Sequence, residues 1–171
     1  MGKIRPIFYF FLIIFFLFNG CRYKSNTSRI GKFKSIYVHA VRNESLAPQL
    51  GLFLSKNIRE NIVQRGHFDL TSEMRESTLI LKVILDNYRK NPEVYNPNDT
   101  FVASGFNLKI KAKCSLINYQ GKVLIEDVIL TENVSVLRRN SLTKPTDRQA
   151  VQSLSESLGR QIVQLVENYL W

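Results

Sequence analysis

From Ile7 to Phe18 every side chain is apolar, whereas beyond Phe33 the apolar positions recur every second, or every third to fourth, residue. Lys34 to Val41 alternates and is rich in β-branched and aromatic residues, which predicts a first strand ended by Arg42, Asn43, Glu44 and Ser45. Leu50, Leu54, Ile58 and Ile62 then form one ridge joined by Phe53, the spacing of a helix with Pro48 in its first turn and Gly66 placed to stop it. Thr78 to Tyr88 reads as a second strand, with Leu79, Leu81, Val83 and Leu85 on one face and Ile80, Lys82, Ile84 and Asp86 on the other. Arg89 to Ser104 holds Pro92, Pro97 and several Asn, so a long loop or irregular hairpin end is expected.

The third strand has the plainest period. Phe106, Leu108, Ile110, Ala112, Cys114 and Leu116 point one way, and Asn107, Lys109, Lys111, Lys113 and Ser115 the other, giving a core face and a lysine row. Asn118, Tyr119, Gln120 and Gly121 suit a tight turn into a fourth strand from Lys122 to about Val136, with a bulge where Asp127 breaks the alternation. Thr146 to Gln149 has the spacing of a capping box, and Val151, Leu154, Leu158, Ile162, Leu165, Val166 and Tyr169 make the stripe of a final helix. The expected fold is therefore α+β, with two helices packed on one face of a four-stranded sheet in the order β-α-β-β-β-α.

Composition agrees with a folded domain: 44% of the 171 residues are hydrophobic and 22% charged. The net charge of +10 calls for an anionic partner without naming it. Compartment narrows the choice. Lys3 and Arg5, the apolar run and then Asn19, Gly20 and Cys21 have the three-part layout of a secretory signal, and a run this short suits a leader rather than a span. Residues 1–20 are expected to be the signal peptide, 21–32 a lipidated N-terminus and basic tether, and 33–171 a single α+β sandwich domain. An exported protein has little use for nucleic acid, so an anionic lipid or glycolipid surface moves ahead.

Gly20 and Cys21 resemble the lipobox of bacterial lipoproteins, although Phe18 and Asn19 stand where Leu and a small residue are usual. That resemblance implies that Cys21 carries acyl groups and anchors the chain to a membrane, stably once more than one chain is attached. Cys114 then has no partner and reads as a small core residue. Catalytic patterns are missing: His39 reads as a strand residue and His67 as a surface one, and no metal, nucleophile or phosphate-loop motif occurs. No enzyme and no cofactor is expected.

Taken together, the Ile36-Tyr37-Val38 strand, the Arg42–Ser45 turn, the helix ending at Gly66, the Thr78–Val83 strand, the Asn118–Lys122 turn and the last helix resemble the lipopolysaccharide-assembly lipoprotein family, LptE. The resemblance implies an outer-membrane lipoprotein on the periplasmic face, acting as plug and partner of an LptD-like β-barrel and binding lipopolysaccharide. It also implies glycolipid-binding cations near the start of the last helix, where Lys144 stands, and in the loop between central strands, where residues 95–99 offer none. The lysine row Lys109, Lys111 and Lys113 could replace them, and the alternative is an auxiliary scaffold of a lipid-transport machine without glycolipid contact. If the acyl groups are the anchor, Cys21→Ser abolishes palmitate labelling and releases the protein or strands its precursor; a variant that still labels and fractionates with outer membranes would refute the assignment.

Overall fold

The computed structural model describes residues 33–47, 49–96, 99–137 and 146–170, so Cys21, the tether, Pro48 and Lys144 lie outside the described residues. The elements are β1 (Ser35–Val38), β2 (Arg42–Asn43), α1 (Leu50–Arg65), β3 (Asp69–Thr71), a 3-10 turn (Met74–Glu76), β4 (Leu79–Asn96), β5 (Asp99–Asn118), β6 (Val123–Leu137) and α2 (Thr146–Leu170). The strands form one sheet in the order β3-β1-β4-β5-β6, with β2 paired to β4 beyond β1. β1, β2 and β3 run parallel to their neighbours, while β4, β5 and β6 make an antiparallel meander.

The α+β class with two helices stands, but the sheet has six strands instead of four. Arg42 and Asn43 do not end the first strand: Val38 faces Leu81 and Arg42 faces Ile84, so the chain bulges by one residue and pairs again. β3 escapes a periodicity reading because it is three residues long and owes its conformation to the β1 edge. Between Arg89 and Ser104 the structure decides between a loop and a hairpin end. Of the two alternatives the irregular hairpin end is the one that forms: β4 and β5 stay paired to Asn96 and Asp99 through several register shifts, and Pro92, which cannot donate to the ladder, sits beside one of them where that costs least.

Alternation decides what is buried. Leu79, Leu81, Val83 and Leu85 on β4 and Leu108, Ile110, Ala112, Cys114 and Leu116 on β5 are all buried in one core with the helix ridges Leu50–Leu54–Ile58–Ile62 and Leu154–Leu158–Ile162. The expected turn also forms: the Asn118 side-chain oxygen accepts the backbone N–H of Gln120 at 3.0 Å and of Lys122 at 2.8 Å, and Gly121 takes φ 83°. The bulge at Asp127, φ 46°, sets two residues of β6 against Ser115. Burial pushes the Cys114 thiol up to about 12, so it stays protonated among apolar neighbours.

The helices run in the same direction, since Asn57 meets Ser155 and Gly159 while Arg65 meets Glu167. Their approach is close. A Cβ on Gly159 would stand 3.1 Å from the Cβ of Asn57, whose amide donates to Ser155 Oγ at 2.8 Å. Gly159→Leu should therefore cost roughly 1–3 kcal/mol in urea unfolding, the range for overpacking. Gly159→Ala should cost less, because about 1 kcal/mol of helix propensity offsets the contact. An unchanged midpoint for the Leu variant would refute this close approach. Cys114 should resist thiol alkylation at pH 8 until the domain is unfolded, and rapid labelling of the native protein would contradict its burial.

Candidate functional site

The sheet face opposite the helices carries the charged residues. Along β5, Lys109, Lys111 and Lys113 alternate with buried side chains, as expected. Their surroundings differ. Lys113 Nζ lies 3.7 Å from Asp127 Oδ2, brought alongside by the β6 bulge, and Ser115 Oγ donates to the other oxygen of that carboxylate at 2.8 Å. Lys109 and Lys111 instead join Asn87 and Arg89 around a shallow concavity of about 110 Å³.

Arg89 reaches this face through a break in alternation. On β4, Asp86 faces Lys111 and Arg89 faces Lys109, so Asn87 and Tyr88 together oppose Ile110. Asn87 has φ 54°, a left-handed conformation that Asn tolerates better than most residues. Strict alternation would send Arg89 toward the core side with Leu85. The extra residue reverses the phase, placing Arg89 beside Lys109 and turning Lys90 to the side of Phe106, where its Nζ lies 4.6 Å from the ring centroid. Arg89 is steadied by its own bond from Nε to Asn87 Oδ1 at 2.9 Å.

Three cations converge on one concavity as a result, a group suited to holding the oxygens of a phosphate or carboxylate by charge-assisted hydrogen bonds. Sequence reasoning missed Arg89 as a member because it left residues 89–104 between a loop and an irregular hairpin end, where no face could be assigned. The available signal was the loss of alternation after Asp86. Of the sequence-predicted set, the structure brings Lys109 and Lys111 together, ties Lys113 to a carboxylate, and leaves Cys21 and Lys144 outside the described residues.

A second charged cluster was not foreseen. Glu167, 6% exposed near the end of α2, receives Arg65 at 2.5 Å on one oxygen and lies 2.9 Å from His67 Nδ1 on the other. His67 is thus partly buried and engaged with a carboxylate, not a plain surface residue. The cluster ties the ends of both helices together. Among the described residues no group of His, Cys, Asp and Glu is arranged to hold a metal.

No family model and no curated protein sequence matches the chain. Solved structures do. Uncharacterized lipoprotein B from Nitrosomonas europaea is 13% identical with a TM-score of 0.54, over 78% of this chain and 82% of its own. Rare lipoprotein B from Shewanella oneidensis is 10% identical with a TM-score of 0.52, over 77% and 94%. A minor lipoprotein from Acinetobacter baumannii is 13% identical with a TM-score of 0.50, over 78% and 92%. At such identities the likeness is one of fold, and the fold is one found in bacterial lipoproteins.

Proposed function

We propose that the chain is a lipid-anchored lipoprotein on the periplasmic face of the outer membrane, without catalytic activity, that helps carry lipopolysaccharide to the cell surface as plug and partner of a β-barrel translocon. The observation that carries this reading is the convergence of Arg89, Lys109 and Lys111 on a concavity of the open sheet face. A glycolipid with phosphates and acidic sugars presents dense anions that such a group can hold, whereas an inert scaffold has no need of a bulge that recruits a third cation. The lipobox-like Gly20-Cys21 pair and a fold found in bacterial lipoproteins support the envelope setting.

The contacts would act as a cluster. Replacing Arg89, Lys109 and Lys111 together with Glu should weaken retention on immobilised lipopolysaccharide by about a hundredfold or more at low salt, since hydrogen bonds to charged groups contribute about 1.5–3 kcal/mol each. Unfolding temperatures should barely move, because exposed substitutions usually shift stability within about 0.5 kcal/mol. Lys113→Gln should cost little binding, as that lysine already serves Asp127. The wild-type interaction should weaken as salt rises, exposed charges being screened over roughly 8 Å at physiological ionic strength. Unchanged retention of a folded triple variant would overturn glycolipid binding and favour the scaffold.

A further inference from the structure

One end of the domain gathers features that an anchored protein would turn toward its membrane. β1 begins there at Ser35, paired in register beside the starts of β3 and β4, and the β5–β6 turn closes there, with Tyr119 N–H donating to Thr78 O at 3.1 Å. Both helices finish there, since Gly66 precedes β3 and Glu167 meets Arg65 and His67. On this end Tyr119 is 64% exposed at the tip of the turn braced by Asn118, and Tyr169 is 53% exposed on the last turn of α2. Val123 and the exposed cations Lys34 and Lys122 lie alongside. Tyrosine has an apolar ring and a polar tip, the combination that enriches it at the boundary between headgroups and hydrocarbon.

The length of chain before the described residues limits how far Cys21 can lie from this end. Eleven residues, 22–32, separate Cys21 from Phe33, which enters the fold at this same end. A segment of that length can reach no farther than roughly 40 Å even when fully extended. The opposite end, the β4–β5 arm with exposed Val94 and Tyr95, stands some 16 residues along β4 from Leu79, or about 50 Å. We infer that, in the anchored lipoprotein before it engages a barrel, the Tyr119–Tyr169 end rests on the bilayer surface with both rings among the headgroups. The anchor makes weak contacts sufficient, because a short tether holds its cargo at an effective concentration on the order of millimolar.

This inference rests on acylation of Cys21, so the test reads the two separately. Full-length lipidated protein with Trp171→Phe is reconstituted alone into phosphatidylethanolamine–phosphatidylglycerol vesicles, some bearing lipids brominated near the headgroup. Tyr119→Trp and Tyr95→Trp place a single indole at either end. Co-flotation with the vesicles reports the anchor, and quenching reports contact. Tyr119→Trp should lose about half its emission in brominated vesicles while Tyr95→Trp keeps its own, as expected for one end held in the interface. Flotation with neither probe quenched, with both quenched alike, or with only Tyr95→Trp quenched overturns the docking while leaving the anchor intact. Absence of flotation overturns the acyl anchor, and the docking with it.

Discussion

The pairing of β5 with β4 and β6 is the constraint on which the rest depends. The two-residue period of β5 sends Leu108, Ile110, Ala112, Cys114 and Leu116 under the helices and Lys109, Lys111 and Lys113 to the opposite face. A slip of one residue would bury the lysines and expose the core, so the hydrophobic face that holds the helices also fixes where the cations stand. Core and candidate site are two sides of one register, and neither can be repositioned without the other.

Bulges modify that register locally, and each has a charge-bearing result. At Asn87 the extra residue shifts the phase of β4 and moves Arg89 onto the lysine face. At Asp127 the extra residue of β6 sets a carboxylate against Lys113 and leaves Ile129 59% exposed. The same device thus adds a cation at one end of the lysine row and neutralises one at the other. What begins as a uniform row becomes a graded one, with Arg89, Lys109 and Lys111 around the concavity, Asp86 facing Lys111 across the strand pair, and Lys113 paired with Asp127.

The helices supply a different kind of constraint. Gly159 lets α2 approach α1 closely, and the buried Glu167 is held by Arg65 and His67, so the helix pair is fixed in the middle by shape and at one end by charge. Removing a partner of a buried charge is strongly destabilising even where the pair itself adds little net stability, and in the observed alignment of the helices Glu167 keeps both of its partners. That alignment places both helix ends beside the start of β1, making the domain polar in the geometric sense. The start of β1, the β5–β6 turn and the helix ends lie together, and the β4–β5 arm extends away.

The sequence by itself determined the elements whose side chains repeat over several turns or pleats: α1 and α2, the core faces of β4 and β5, the Asn118–Gly121 turn, and the bulge at Asp127. Each is written in local spacing, because a helix or a half-buried strand must present its apolar residues at a fixed period to one surface. The lysine face was legible for the same reason. Only the tertiary structure decided the six-stranded sheet, since β2 and β3 are too short to carry a period and exist because a neighbouring strand offers them hydrogen bonds. It also chose the irregular hairpin over the loop for residues 89–96 and 99–104. Cross-strand bonding overrode Pro92 and the Asn residues there, and the bulge at Asn87 selected Arg89. Glu167 and His67 lie a hundred residues apart, and no local pattern announces a contact that exists only once both helices are packed on the sheet.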